Sequence, residues 1–348
     1  MVCLADCLWG CFAAPVRAGL NRMKAIVYSK YGSPDVLEFR EVEQPSPKGN
    51  EVLIKVQAAS VNLSDWEGLV GKPLYARLRG LLKPGNPILG SDVAGIVEAV
   101  GGNVSQFQPG EEVFGLIPNY SGGFAEYVCA SENSMALKST GLTFEEAAVF
   151  PQAAVIALQG IRDKGQIQPG HKVLINGAGG GAGTFAVQLA KLYGAEVTGV
   201  DNSRKLDMLR TLGADHVIDY TQEDFTRNGQ RYDFILDLVA YRSVFDYKRA
   251  LNPNGNYYMV GGSMATMLQV LLLGSWVGKA ESQNIRMLMA QPNIKDLLFM
   301  TGLYEAGKIV PVIDRSFPLR KVPEALRYMG EGHVNGKIVI TMEPDSQY

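Results

Sequence analysis

Residues 172–201 constrain the fold of this chain more tightly than any other stretch. They read as a short apolar strand (Val173–Asn176), a turn from Gly177 to Gly183 with five glycines, a helix, and a second strand (Glu196–Val200) that delivers Asp201. Glycines let a backbone bend sharply and approach a ligand with no Cβ in the way. The helix carries Phe185, Ala186, Leu189, Ala190 and Tyr193 at helical spacing and meets a stop at Gly194. Bare amides at a helix N-terminus hold a pyrophosphate, and an acid about 20 residues past the turn bonds an adenosine ribose. A flexible loop would lack the flanking strand and helix. A nucleoside-triphosphate loop needs a lysine before Thr184, where Gly183 stands. The segment therefore predicts a dinucleotide site, with Gly180, Gly181, Ala182 and Gly183 presenting backbone amides to the pyrophosphate.

At 348 residues the chain exceeds one typical domain, and its 47% hydrophobic and 20% charged content suits a packed core. A net charge of −2 with no Lys/Arg cluster argues against a nucleic-acid surface. Four cysteines, three of them Cys3, Cys7 and Cys11, make no disulfide framework in a chain this long and point to a reducing, cytoplasmic setting. Residues 1–22 are apolar, but Asp6 interrupts them, no basic residue precedes the apolar part, and the run is too short to span a membrane. They read as an extension ahead of a domain starting at Met23, with a signal peptide or acylated anchor as the alternative.

From Lys24 short strands alternate with turns: Ala25–Tyr28, Leu37–Val42, Val52–Ala58, Val93–Val100, Glu112–Gly115 and Phe124–Ala130. This pattern predicts an antiparallel, barrel-like domain. After Thr143 the character changes to helices at Phe144–Phe150 and Gln152–Arg162, then to alternating strands and helices. These are helix Ser203–Leu212, strands His216–Ile218 and Phe234–Leu238, helix Val244–Leu251 stopping at Pro253, and strand Tyr257–Val260. Such alternation argues for a doubly wound parallel sheet in an α/β chain. The tail from Val310 ends in the apolar run Lys337–Thr341, which has no obvious place in that sheet and is expected to rejoin the first domain.

Several landmarks now stand together: Val61-Asn62-Leu63-Ser64-Asp65, Leu89-Gly90-Ser91-Asp92-Val93-Ala94-Gly95, Gly122-Gly123-Phe124-Ala125-Glu126-Tyr127, the glycine turn, and Leu212-Gly213-Ala214-Asp215. From Met23 to Thr341 the chain resembles the medium-chain dehydrogenase/reductase superfamily, in its zinc-free quinone oxidoreductase-like branch. The resemblance implies a GroES-like β-barrel catalytic domain (residues 23–145 and 309–348), a Rossmann domain (146–308), and an active cleft between them. Zinc enzymes of the superfamily use a Cys and a His-Glu pair at the cleft. Here Asn62 and Ser91-Asp92 stand at those places, and neither Asn nor Ser is a normal zinc ligand. The expectation is no metal. Without a Lewis acid to activate an alcohol, the favoured reaction is hydride delivery from NAD(P)H to a small apolar quinone or α,β-unsaturated carbonyl. An NAD(P)H-binding sensor with little turnover and an alcohol dehydrogenase in the strict sense are the alternatives.

The resemblance also points to Asn62 as a donor to the substrate carbonyl, with a turn asparagine as the competing reading. Asp65 matches a cleft acid and equally suits a helix cap. Branch members often carry a tyrosine two positions after Asp65; this chain has Glu67, which leaves Tyr75 as the nearest proton donor. Asp201 favours the ribose diol of NADH, whereas Arg204 and Lys205 just downstream suit the 2′-phosphate of NADPH; the lean is to NADH. Tyr220, Gly261 and Gly262 complete the expected coenzyme contacts. The uncharged run Met264–Val277 reads as pocket wall plus contact in a homodimer, with a peripheral membrane contact as the alternative and no transmembrane span.

Overall fold

The computed structural model describes residues 21–78, 80–117 and 121–342, so the expectations for Cys3, Cys7 and Cys11 lie outside the described residues. Strands β1 (Arg22–Val27) and β2 (Glu38–Glu43) form an antiparallel pair. Then come β3 (Glu51–Val61), helix α1 (Leu63–Val70), β4 (Asp92–Val100), β5 (Glu112–Leu116), β6 (Tyr127–Ser131) and β7 (Met135–Leu137). Helix α2 (Phe144–Ala148) starts at a capping box in which Thr143 Oγ1 accepts from Glu146 N and the Glu146 carboxylate accepts from Thr143 N. Helix α3 (Ala153–Leu158) runs on as a wider π-type turn to Gly165, so the helix expected over Gln152–Arg162 changes its winding halfway.

The second half begins with β8 (Lys172–Asn176), α4 (Gly181–Leu192), β9 (Glu196–Asp201), α5 (Leu206–Thr211), β10 (His216–Asp219) and β11 (Tyr232–Asp237). It continues with α6 (Val244–Ala250), β12 (Leu251–Met259), α7 (Met264–Val277), β13 (Asn284–Met287) and α8 (Ile294–Glu305). Strands β8 to β13 form one six-stranded parallel sheet in the order β10-β9-β8-β11-β12-β13. Chain order reverses between β8 and β11, the switch point where a doubly wound sheet binds its ligand beyond the strand ends. Pro253 lies inside β12 rather than after a helix, because the strand is irregular there and Asn254 takes a φ of 63°.

The chain closes with β14 (Ile313–Pro318), α9 (Val322–Gly330) and β15 (Lys337–Thr341). β15 lies antiparallel to β3, in a seven-stranded sheet ordered β14-β15-β3-β4-β5-β7 with β6 also on β3. Its two faces explain the sequence pattern. Val52, Ile54, Val56, Ala59 and Val61 of β3 are all buried with Ile338 and Ile340 of β15 in one apolar core. The parallel sheet instead buries near-continuous runs such as Val173, Leu174 and Ile175 between helices on both faces. The protein is thus a GroES-like domain joined to a Rossmann domain. The two are stitched where Gly336 N donates to Gly179 O at 2.8 Å.

Candidate active site

The glycine turn sits at the end of β8, at the switch point. Gly177 takes a φ of 78°, and a Cβ on Gly183 would lie 2.3 Å from Gly177 O, so both positions require glycine. The first bond into α4 runs from Thr184 N to Gly180 O, which leaves the amides of Gly181, Ala182 and Gly183 without an acceptor among the described residues. Gly262, after β12, takes a φ of 144°, and a Cβ there would meet Ala240 O at 2.0 Å. Gly261 O accepts from Ala240 N, so the loop after β11 is tied to the end of β12. Val239 of that loop packs against Gly177. One group here was missed in the sequence: Asn335, whose Oδ1 is buried without a partner among the described residues beside the Gly336–Gly179 seam. Bare amides, a cradle a Cβ would fill and an orphaned polar oxygen fit a dinucleotide.

The acid and bases expected at the ribose are arranged differently from the sequence reading. Asp201 is buried; its Oδ2 accepts from Gly179 N at 2.9 Å and its Oδ1 from Asn202 N at 2.9 Å. Lys205 is not a free phosphate ligand. Its Nζ lies 3.3 Å from Asp201 Oδ1, and its stem is buried against Gly179. Arg204 remains exposed, with an electrostatic reach to Tyr328 on α9. Tyr220 follows β10; its N donates to Asp201 O, and its ring is half exposed.

Across the seam, Asn62 is the N-cap of α1 and is 6% exposed. Its amide is fully engaged: Nδ2 donates to Ser91 Oγ at 3.1 Å and to Asp92 Oδ2 at 3.0 Å, while Oδ1 accepts from Lys337 Nζ at 2.5 Å. The amide expected to donate to a substrate carbonyl is thus bonded to neighbours in this structure. Asp65 completes the helix cap, accepting from Asn62 N at 2.8 Å and Gly90 N at 3.0 Å. Burial pushes its carboxyl up to about 7 against those two amide donors. Lys337 also donates to Val61 O at 3.1 Å and lies 3.6 Å from Asp92 Oδ2, with both side chains buried. Burial drives the two groups toward neutrality, Asp92 up and Lys337 down, and their mutual attraction opposes it. The Lys337 stem packs on Gly181, so one buried cation touches both the Asn62 network and the coenzyme turn.

Gln152, ahead of α3, spans the domains: its Oε1 accepts from Ser91 Oγ at 3.2 Å and Ser64 Oγ at 3.4 Å. Its Nε2 takes no partner among the described residues. Tyr75 stands in a short 3₁₀ turn after α1, and its hydroxyl donates to Glu67 Oε1 at 2.9 Å. Tyr241, in the loop after β11, lies close enough to act electrostatically on that phenol. The exposed Leu74 and Leu78 flank Tyr75 in sequence. The uncharged run Met264–Val277 forms helix α7. It buries Thr266, Val270, Gly274 and Val277, but Leu268, Leu271, Leu272 and Trp276 face outward. Among the described residues no helix is long and apolar enough to cross a membrane.

Comparison with known proteins places this geometry. Residues 48–160 match the alcohol dehydrogenase GroES-like domain family, and residues 212–340 match a family described as zinc-binding dehydrogenase. The mouse mitochondrial NAD(P)H oxidoreductase RTN4IP1 is 33% identical over 98% of this chain and 96% of its own length. Tomato 2-methylene-furan-3-one reductase is 34% identical over 92% of this chain and 79% of its own. The quinone oxidoreductase of Coxiella burnetii superposes with a TM-score of 0.84 at 31% identity, covering 93% of this chain and all (100%) of that one. The zinc in one family description finds no suitable donors in the cleft: Asn62, Ser91 and Asp92 bond one another, and the Lys337 ammonium already sits on Asn62 Oδ1. Among the described residues no three His, Cys, Asp or Glu side chains cluster as a metal site. An intact dinucleotide turn at the switch point, set against a GroES-like domain, makes this chain a member of the medium-chain dehydrogenase/reductase superfamily, in its quinone oxidoreductase-like branch, and an NAD(P)H-dependent oxidoreductase.

Proposed function

We propose that the protein reduces small apolar α,β-unsaturated carbonyls and quinones. The observation that carries this is the cleft itself, where the side chains at the family's metal positions are consumed in a network around Lys337. Acceptors that delocalise the arriving charge need no Lewis acid. When bound, the coenzyme supplies a hydride. The chain's residues hold and orient it: the amides of Gly181, Ala182 and Gly183 meet the pyrophosphate, and Gly261, Gly262 and Val239 line the nicotinamide side. Gln152 Nε2, rather than Asn62, is the amide free to meet a carbonyl oxygen gaining charge. Leu74, Leu78 and Tyr241 give the acceptor an apolar approach. We assign residues 23–145 and 309–348 to the catalytic domain and 146–308 to the coenzyme domain.

The compensation of Asp201 by Lys205 and the exposure of Arg204 support NADPH binding at least as tight as NADH binding, against the lean taken from Asp201 in the sequence. The outward leucines of α7 support a homodimer, to be read by sedimentation. A reducing compartment, cytoplasmic or organellar, suits Cys129, whose thiol burial pushes up to about 11. Coenzyme oxidation with a panel of quinones, enals and enones tests the function. No turnover with either coenzyme sinks it, and coenzyme binding without turnover would instead mark a sensor.

A further inference from the structure

The stretch between Glu67 and Asp92 differs from the rest of the chain in both charge and exposure. From residue 68 to 91 the sequence carries Lys72, Arg77, Arg79 and Lys83 and no Asp or Glu, in a protein whose total charge is −2. In the same segment Leu74, Leu78, Leu81 and Leu82 all turn to solvent, Leu78 at 86% and Leu82 at 91% exposure. Scattered exposed leucines are ordinary, but four crowded into one short segment mark a contact surface. The segment is also held in place. Arg77 Nε donates to Gly71 O at 2.8 Å, and its guanidinium lies 4.7 Å from the Tyr31 ring centre. The Tyr31 hydroxyl donates to Gly80 O at 2.5 Å. A Cβ on Gly80 would lie 2.0 Å from Lys83 O, so the chain doubles back there with Leu81 and Leu82 in the bend. Farther on, Asn86 Nδ2 donates to Ser121 Oγ at 2.8 Å. Glu67, the acid that precedes the segment, accepts from the Tyr75 hydroxyl at 2.9 Å. Lys72 and Lys83 are exposed and make no ion pair among the described residues.

We propose that the segment around Leu81 and Leu82, with Lys72 and Lys83, docks the protein on membranes rich in anionic phospholipids. Leucines held outward can enter the acyl boundary of a bilayer while the ammonium groups beside them meet lipid phosphates. Charge complementarity selects this occupant. Basic charge alone would suit any polyanion, and leucines alone would suit a second copy of the chain. Helix α7 shows the latter case, since its outward Leu268, Leu271 and Leu272 stand on a run with no charge at all. The segment after α1 joins both properties. The association is peripheral and reversible, because among the described residues no helix is long and apolar enough to cross a membrane. It does not depend on which acceptor the enzyme reduces.

The experiment is flotation of the full chain with vesicles of phosphatidylcholine, alone or mixed with phosphatidylserine. The wild type should float with the mixed vesicles, stay behind with phosphatidylcholine alone, and release as salt is raised. Lys72→Ala combined with Lys83→Ala should lower the partition coefficient about 10- to 30-fold and remove most of its salt dependence. Leu81→Asp combined with Leu82→Asp should lower it at least about 10-fold. Both double variants should unfold in urea near the wild-type midpoint, because all four side chains are exposed. Leu82→Trp gives a local reading: the emission it adds to the wild-type spectrum should shift to the blue on the mixed vesicles. A wild type that stays unbound, flotation that both double variants retain, or an unshifted Leu82→Trp emission overturns the proposal. Flotation lost only in the lysine variant marks a bare polyanion site and also overturns it. So does a leucine variant that changes the sedimentation of the lipid-free protein but not its flotation, which assigns the leucines to a second copy.

Discussion

The two sides of the cleft reach their rigidity by opposite means. On the coenzyme side the backbone does it, with positive φ at Gly177 and Gly262, a steric cradle at Gly183, and amides left bare for a ligand. On the other side the side chains do it: Asn62, Ser91, Asp92 and Lys337 bond one another, and Asp92 Oδ1 is buried without a partner among the described residues. A site built of backbone is prepared for one shape of ligand, whereas a side-chain network bonded within itself fixes a wall and leaves recognition to its margins. This division fits a branch in which one coenzyme serves acceptors of several kinds.

That contrast makes predictions that differ in size. Lys337→Met strands the Asp92 carboxylate in an apolar interior and should destabilise the fold by about 3–5 kcal/mol, with Asp92→Asn in the same chain restoring much of the loss; urea denaturation reads both. Gly183→Val forces a side chain into a space where a Cβ already meets carbonyl oxygens at 2.3 and 2.5 Å. It should weaken coenzyme binding at least about 100-fold, roughly 3 kcal/mol, as measured by fluorescence titration. Asn62→Ala should cost about 1–3 kcal/mol of stability because it unpairs buried partners, while kcat per folded molecule changes little. A large fall in kcat with stability intact would break the comparison and return Asn62 to substrate contact. Arg204→Ala should weaken NADPH about 5- to 10-fold and leave NADH unchanged; equal losses for both coenzymes would remove Arg204 from the 2′-position.

The same contrast decides what was readable from the sequence. Strand β8, the glycine turn and α4 follow from local chemistry, since Gly177 takes a positive φ and a Cβ on Gly183 would strike the carbonyls of Gly177 and Ala178 in the same turn. The return of β15 to the barrel was foreseen from an apolar run with no other home, and its pairing with β3 meets that expectation. The short strand β13, with its polar Asn284 and Arg286, and helix α8 were not foreseen. β13 is an edge strand held by one neighbour, β12, and its residues carry little of the apolar signal that marks inner strands. The Asn62 network was missed for another reason. Its key contact joins residues 275 positions apart, and Lys337 at the head of a strand reads as a solvent-facing residue. One signal was present: Asp92 stands between apolar runs and is wholly buried, and a buried carboxylate demands a cation from somewhere. Lys205 shows the converse, a lysine that reads as a phosphate ligand until its stem is seen buried beside Asp201.

The pairing of β15 with β3 also orders the birth of the molecule. β3 is complete once Val61 has been made, yet one of its sheet partners is encoded at residues 337–341, beyond the whole parallel sheet. As the chain leaves the ribosome, the coenzyme domain has all its strands in hand while the barrel still shows an open edge on β3. The second domain to be synthesised is then the first able to finish, and truncation before Lys337 leaves the barrel permanently unzipped on that side.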